Sequence, residues 1–207
     1  MDRVLYGEDH EAFREVVKAF VKRYVTTADR ERWDEEGEVD RATMRAAGDS
    51  GLIGLSVPEE FGGAGMMQDY RYRAIVNEEI ILAGAGSLAG AFGIQDDLAV
   101  PYIVHFGTDE QKAKWLPGMA TGEVIGALAM TEPGAGSDLR GVSTTAKKVE
   151  GGYIVNGAKT FISSGKTADL IVTFVKTGEG NRPDAFSLIL IENGMEGFEH
   201  GKKLHKM

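Results

Sequence analysis

The sequence predicts an α+β protein of more than one domain, with an all-α domain over residues 1–123 and a β domain over residues 124–207. In the first domain the apolar residues recur every three or four positions, which is typical of helices with one buried face. After Glu123 they alternate with polar residues, and β-branched residues become frequent. Because no helical segment alternates with the strands, we expect an antiparallel sheet, a barrel or a sandwich.

The N-terminal domain is expected to hold roughly five or six helices. The apolar spacing predicts a helix over residues 10–25 and a second over residues 39–50 that Gly51 ends. Asp69 is a typical N-cap residue, so a third helix is expected from there to about Ala83.

Residues 87–106 predict one long apolar helix that Pro101 disturbs. Proline lacks the N–H that would bond to the carbonyl of Asp97, so we expect a kink near Asp97. Thr108 and Gln111 have capping-box spacing, which predicts the start of another helix. Pro117 and Gly118 are expected to end it.

Five strands are predicted in the second domain, with turn signals at residues 150–152 and 178–180. The last residues, 198–207, contain no stop signal and follow a short β domain, so we expect this domain to be incomplete. The predicted strands cover residues 125–130, 143–149, 153–156, 171–176 and 186–191.

Composition limits the function classes. With 43% hydrophobic and 27% charged residues, the 207-residue chain can bury a core, and its net charge of −9 makes nucleic acid a poor partner. The absence of cysteine excludes disulfides and thiolate metal sites. No apolar run approaches the roughly 18 residues of a membrane span, and no signal peptide is visible, so a cytoplasmic protein is expected.

A glycine-rich turn at residues 131–138 follows directly on an apolar strand. Pro133 presets one backbone angle, and Gly134 and Gly136 leave neighbouring amides uncovered by side chains. Such amides can converge on an anion or on the polar edge of a ring system. The alternative is a plain connecting turn, since the spacing is not that of the dinucleotide fingerprint.

Four motifs, in order along the chain, resemble the acyl-CoA dehydrogenase family, and residues 94–102 resemble the corresponding segment of its long-chain members. The run AMTEPGAGSD at residues 129–138 resembles the family signature, and NGAKTFISSG at residues 156–165 is similar to its second flavin segment. VPEEFGG at residues 57–63 and GTDEQK at residues 107–112 also resemble family motifs. The likeness implies a helical N-terminal domain, a middle β domain and a C-terminal helical domain absent from this chain.

The resemblance also implies site residues. Thr131 would hydrogen-bond the isoalloxazine edge of FAD, Phe161 would pack on the flavin face away from the substrate, and Ser163 would donate toward N5. Many relatives carry tryptophan where Phe161 stands and tyrosine where Leu128 stands. The implied cofactor-binding set is Leu128, Met130, Thr131, Gly136, Ser137, Phe161, Ile162 and Ser163, with Ser137 also near the acyl-CoA.

The implied reaction is FAD-dependent α,β-dehydrogenation of acyl-CoA to trans-2-enoyl-CoA, as in fatty acid β-oxidation. The family's catalytic base is a glutamate of the C-terminal domain, so no catalytic residue is expected here and the 207-residue chain is expected to be inactive. Glu78 and Glu79 fit a solvated helix face, and Glu132 belongs to the turn. The implied partners are an electron-transfer flavoprotein and further copies of the chain, as a tetramer or dimer.

Alternatives remain open from the sequence. Acyl-CoA oxidases and nitroalkane oxidases share the fold, and a non-catalytic fragment or paralogue that binds acyl-CoA or a partner is a different class. The kink at Pro101 either widens a pocket for long acyl chains or reflects packing, with Asp96 and Asp97 facing solvent. No metal site is expected, because His10, His105, His200 and His205 lack ligand spacing.

Overall fold

The computed structural model describes residues 5–203 and divides into two compact units, one ending at Ile125 and the other beginning at Gly126. The first unit is helical and the second contains a β-sheet, which confirms the predicted succession of a helical domain and a β domain. No helix within residues 5–203 is long and apolar enough to cross a bilayer.

The helical unit packs around a buried apolar core. Trp33, Phe92 and Leu88 are fully buried there, and burial of each side chain of this size contributes about 2 kcal/mol. The α-helices found in the described residues are α1 (Glu8–Tyr24), α2 (Thr27–Glu36), α3 (Arg41–Asp49), α4 (Tyr70–Leu82), α5 (Gly86–Gly93), α6 (Val100–Phe106) and α7 (Asp109–Thr121).

Helix α2 was not predicted, because Trp33 is the one buried residue along it and no apolar period is visible. Its start does carry a local signal, since the side chains of Thr26 and Asp29 form a capping box. The predicted end of α7 was wrong, because the helix continues through Pro117. Gly118 permits a close approach instead: a Cβ there would lie 2.5 Å from Cγ2 of Val124.

The long apolar stretch does not form one α-helix. Between α5 and α6 the chain forms a π-helix, Ile94–Ala99, in which the N–H of Val100 donates to the carbonyl of Gln95. Pro101 then lies in the first turn of α6, where its missing N–H costs little. The side chain of Gln95 is buried and donates to the carbonyls of Met119 and Val124, both at 2.9 Å.

The second unit contains a mixed five-stranded sheet. Strands β2–β3 and β4–β5 pair antiparallel, as predicted, but β1 and β2 both pair parallel with β4. The expectation of a purely antiparallel sheet was therefore wrong, because the β2–β3 hairpin and its flanking loops provide the crossover that we had expected only from a helix. The strands are β1 (Gly126–Ala129), β2 (Thr145–Val149), β3 (Gly152–Asn156), β4 (Leu170–Lys176) and β5 (Phe186–Glu192).

A small apolar cluster holds the segment after β3 against the sheet. Ile162 and Phe198 pack on buried alanines of β1 and on Ile171 of β4. This contact places residues 157–165 beside the end of β1, where the glycine-rich turn begins.

Candidate functional site

The glycine-rich turn at residues 131–138, called the glycine turn below, closes on itself. The amide of Glu132 donates to the carbonyl of Ala135 at 2.8 Å, and the amide of Ala135 donates back to Glu132 at 3.2 Å. Pro133 and Gly134 form the exposed tip. A three-residue 3-10 turn, Leu139–Gly141, follows the glycine turn rather than an α-helix.

The two glycines of this turn border open space. A Cβ added at Gly134 or Gly136 would meet no heavy atom of the described residues within 4 Å, so these residues leave the backbone there uncovered. Ser137 is also exposed. The turn therefore exposes backbone and a hydroxyl group, and binding of a ligand there stays a prediction.

Residues 157–165, called the second segment below, contain a backbone bend at residues 161–164. We call this bend the strained bend. Phe161 has φ +57° and Ser164 has φ +58°, and they are the non-glycine residues with positive φ in the described chain. An aromatic residue in this conformation is an outlier. Phe161 is also 72% exposed, which leaves its ring uncovered, and Ser163 is exposed as well.

Two hydrogen bonds join the second segment to the start of the glycine turn. The amide of Thr160 donates to the carbonyl of Thr131 at 2.9 Å, and Lys159 Nζ donates to the carbonyl of Met130 at 3.0 Å. Two motifs separated in sequence by the whole β2–β3 hairpin are therefore adjacent in space.

Glu132 lies buried beneath this junction. Its Oε2 accepts from the amide and hydroxyl of Ser143, at 2.7 and 2.6 Å, and its Oε1 accepts from the amide of Thr144 and from Lys159 Nζ, both at 2.9 Å. Burial opposes ionisation, but the hydrogen bonds from Ser143 and Lys159 outweigh it and hold the pKa of Glu132 well below its usual range.

The predicted cofactor residues occupy two neighbouring stretches. Leu128, Met130 and Thr131 are half-buried at the end of β1, and Ile162 is half-buried in the cluster behind the strained bend. The structure brings Met130 and Thr131 against the second segment. Gly136 and Ser137 lie further along the glycine turn, Phe161 and Ser163 lie on the bend, and all four are exposed.

Two glutamates considered at the sequence level have structural partners. Arg14 Nη1 on α1 lies 3.1 Å from Glu78 Oε2 and 2.6 Å from Glu79 Oε1 on α4. The interpretation of Glu78 and Glu79 as a solvated helix face was therefore wrong. Their carboxylates tie two helices together, which explains their place without a catalytic role.

A buried charged cluster in the helical unit was missed. Asp96 is fully buried and accepts from the amides of Gly54 and Leu55 at 2.9 and 3.1 Å. Arg73 Nε donates to Asp97 Oδ1 at 3.0 Å, while Arg73 Nη1 and Nη2 are buried with no hydrogen-bond partner among residues 5–203. Burial raises the pKa of Asp96 to about 6. The alternative that Asp96 faces solvent was wrong.

The histidines have separate surroundings. His10 is buried against Tyr72, with Nε2 at 3.2 Å from Asp69 Oδ2, and His200 Nε2 lies 3.1 Å from Asn193 Oδ1. His105 is exposed, and His205 falls outside the described residues. Over residues 5–203 no group of three or more metal-ligating side chains is found.

Comparison with known proteins gives family matches over nearly the whole chain. The family models described as acyl-CoA dehydrogenase, N-terminal domain and acyl-CoA dehydrogenase, middle domain match residues 7–123 and 127–207. The long-chain specific acyl-CoA dehydrogenase, mitochondrial, of Rattus norvegicus is 42% identical over 99% of this chain and 47% of its own length. The chain thus spans about half the length of the curated relatives it matches.

Solved structures show the same fold. An acyl-CoA dehydrogenase from Geobacillus kaustophilus superposes with a TM-score of 0.90 at 40% identity, covering 100% of this chain and 53% of that one. An acyl-CoA dehydrogenase complexed with FAD from Bacillus anthracis gives 0.85 at 31% identity, covering 99% and 34%. A structure described as an electron transferring flavoprotein of Acidaminococcus fermentans gives 0.87 at 33% identity, covering 98% and 52%.

Proposed function

This chain belongs to the acyl-CoA dehydrogenase family, and we propose on that premise that it forms one wall of the flavin site of an FAD-dependent enzyme that converts acyl-CoA to trans-2-enoyl-CoA. The observation that supports this most is the junction of the two motifs, where the amide of Thr160 donates to the carbonyl of Thr131. It places the start of the glycine turn next to the residue that precedes the strained bend.

The residues present fit a flat cofactor with anionic groups. The open space at Gly134 and Gly136 exposes backbone amides, which suit phosphate or the polar edge of a ring. Phe161 presents an uncovered ring from a strained backbone, and such strain persists where the surrounding structure holds it for function. A ligand that covers Phe161 removes that apolar surface from water.

We assign the following roles to this chain. Thr131 would hold the polar edge of the isoalloxazine, with Leu128 and Met130 beside it. Phe161 and Ile162 would form the wall away from the substrate, and Ser163 would donate a hydrogen bond to the ring. Gly136 and Ser137 would bind toward the phosphates, and Ser137 would also contact the acyl-CoA. Bound FAD supplies the acceptor for the two electrons of the oxidation.

Proton abstraction from the substrate is assigned outside residues 1–207. Glu132 does not suit this role, because Ser143, Thr144 and Lys159 occupy both of its oxygens and its pKa is far below neutral. A general base needs a pKa near the operating pH and access to the proton it removes. Glu132 has neither.

The test starts with intact mass and the visible spectrum of the purified protein. We expect the 207-residue chain of 22.3 kDa to retain no tightly bound FAD and to leave acyl-CoA unchanged. A longer form of the protein is expected to be yellow and to bleach when acyl-CoA is added without oxygen. A yellow, active 207-residue chain would overturn the assignment of the base, and a longer form without FAD would overturn the function.

Reoxidation separates the related activities. After anaerobic bleaching, rapid recovery of colour with an electron-transfer flavoprotein supports a dehydrogenase, whereas rapid recovery with oxygen alone supports an acyl-CoA or nitroalkane oxidase. Binding of acyl-CoA without bleaching supports the non-catalytic alternative. Each result selects one reading.

Two finer parts of the proposal rest on the family, and a third rests on composition. A long acyl substrate is favoured by the long-chain relative at 42% identity, and rates across C4 to C16 acyl-CoAs test it. A homotetramer or dimer is tested by light scattering. A cytoplasmic location agrees with the absence of cysteine, although the rat relative is named mitochondrial, and fractionation of the source cells tests it.

A further inference from the structure

Glu132 and Lys159 form an ion pair that is almost fully buried. Their side chains are 2% and 10% exposed, and Lys159 Nζ lies 2.9 Å from Glu132 Oε1. The two residues belong to different motifs, with the β2–β3 hairpin between them. The pair therefore spans the junction between the glycine turn and the segment that carries the strained bend.

Each partner also binds backbone of the surrounding segments. Lys159 Nζ donates to the carbonyl of Met130, one residue before the glycine turn, and Glu132 accepts from the amides of Ser143 and Thr144, where the chain leaves the loop toward β2. The pair thus joins three stretches of backbone at the entrance to the turn, the exit of its loop and the start of the second segment.

The approach of the second segment also depends on close packing. A Cβ at Gly157 would lie 2.3 Å from Thr144 Oγ1, so glycine is required where the chain leaves β3. Thr144, held by Glu132, thus lies directly against Gly157, two residues before Lys159. The geometry around the pair leaves little room for the segments to slide past each other.

We propose that Glu132 and Lys159 are positioning residues that fix the separation between the glycine turn and the strained bend. The fixed separation is a property of the chain itself. Its consequence for cofactor binding rests on the proposed function: Thr131 and Phe161 reach one ligand together only while the two segments keep this spacing. A buried pair that joins two loops is costly to break from one side, because the remaining charge stays in a dry environment.

The competing explanation is that the ion pair only stabilises the fold as a whole. The two explanations differ in which amides become exposed when the pair is removed. A positioning role predicts a local change at the junction, whereas a purely stabilising role predicts faster opening of the whole sheet. The bonded amides of Thr144 and Thr160 report on the junction, and the amides of β4 and β5 report on the sheet.

The experiment compares Lys159→Met with the control Lys148→Met, an exposed lysine on β2, by amide hydrogen exchange in the purified chain. In Lys159→Met we expect the amides of Thr144 and Thr160 to exchange about tenfold faster or more, and those of β4 and β5 to change less than about twofold. Lys148→Met is expected to change neither set.

The double variant Glu132→Gln with Lys159→Met tests whether charge burial alone is responsible. It carries no buried charge, so it keeps the sheet folded even if Lys159→Met does not, but it still lacks the contact to Met130. We expect the Thr160 amide to remain fast. Wild-type exchange at Thr160 in the double variant, or a uniform rise across β4 and β5 in the single one, would overturn the positioning role.

Titration with FAD gives a second readout. Lys159→Met and Glu132→Gln are each expected to weaken FAD binding about tenfold or more relative to Lys148→Met. FAD affinity that stays unchanged while the junction opens would overturn the link from spacing to the cofactor. This titration uses the longer form of the protein, because the 207-residue chain is expected to hold FAD weakly at most. A longer form that binds no FAD would overturn the proposed function, and amide exchange would then decide the positioning role alone.

Discussion

Asp96 in the helical unit and Glu132 in the β unit are both buried carboxylates, yet their pKa values shift in opposite directions. Burial raises the pKa of Asp96 to about 6, whereas the pKa of Glu132 is held far below its usual range despite burial. Asp96 accepts from two backbone amides. Glu132 accepts from two amides, a hydroxyl and an ammonium group.

The difference follows from desolvation and donors together: burial dominates at Asp96, whereas several hydrogen bonds, one of them from a charged group, outweigh burial at Glu132. Backbone amides alone leave the charge of Asp96 costly, and Arg73 nearby makes its direct bond to Asp97 instead. At Glu132 the ammonium group of Lys159 and the hydroxyl of Ser143, at 2.6 Å, offset the free-energy cost of removing the carboxylate from water. We expect Asp96 to contribute through its hydrogen bonds to backbone amides although its charge is unfavourable. Glu132, in contrast, is expected to stabilise the fold through its charge.

The largest expected effect is that of Glu132→Ala. This change removes the carboxylate that accepts more hydrogen bonds than Asp96 does. Lys159 would keep a buried charge, and the amides of Ser143 and Thr144 would lose their acceptor. We expect the free energy of unfolding to fall by about 3–5 kcal/mol, measured by urea denaturation at pH 7.5. Glu150→Ala, at an exposed glutamate of the β2–β3 turn, is the control and is expected to change it by less than about 0.5 kcal/mol. Equal effects would remove the contrast between buried and exposed carboxylates.

The second prediction uses pH to separate the two carboxylates. Because the folded pKa of Asp96 is above the unfolded value of 3.8, its stabilising contribution is complete below pH 3.8 and is lost as pH rises through about 6. Asp96→Asn lacks this loss and leaves one backbone amide without an acceptor. We expect it to destabilise the chain by about 2 kcal/mol at pH 5.5, and by roughly 1 kcal/mol less at pH 8.

The matched variant Glu132→Gln has the opposite sign. The folded pKa of Glu132 is lowered, so its contribution is present above the unfolded value of 4.5 and is lost only as pH falls below that value. The stability difference between wild type and Glu132→Gln should therefore stay constant from pH 5.5 to 8. A constant difference for Asp96→Asn as well would mean that Asp96 is not unusually hard to ionise.

The smallest effect compares two neighbouring hydroxyls near Glu132. Ser143 Oγ donates to Glu132 Oε2, so Ser143→Ala is expected to cost about 1–2 kcal/mol and to bring Glu132 closer to the situation of Asp96. Thr144 Oγ1 is buried beside Glu132 but makes no hydrogen bond of good geometry within residues 5–203, so Thr144→Val is expected to cost less than Ser143→Ala, under about 1 kcal/mol. Urea denaturation of both variants measures the contrast, and equal losses would contradict it.

Local patterns predicted much of the fold, and failures occurred where the signal was weak or was shared by two causes. The bounds of β4 and β5 follow to within one residue from their apolar runs, which are rich in β-branched residues, and Asp69 caps α4 as expected. Helix α2 lacks an apolar stripe, and its signals are local: the capping box at its start and Gly37 at its end. Gly118 resembled a helix end, but it is required by the close approach of Val124.

The candidate site was also predicted only in part, because local motifs are visible in a sequence and contacts between distant residues are not. The motifs marked both segments, and the glycine turn lies at a strand end as the sequence indicated. The partnership of Glu132 with Lys159, and that of Asp96 with Gly54 and Leu55, depend on contacts between residues distant in sequence. Neither of these two partnerships leaves a periodic or compositional signal in the sequence, so only the folded chain shows them.

The antiparallel pairing of Thr145 with Asn156 closes the β2–β3 hairpin at its base, next to the place where Glu132 holds Thr144. The distance in space between the two motifs therefore does not depend on how many residues the hairpin contains. Natural variants that lengthen or shorten the chain at Gly151, the exposed tip, would leave the candidate site unchanged. Searches for related sites should fix the two motifs and let their spacing vary.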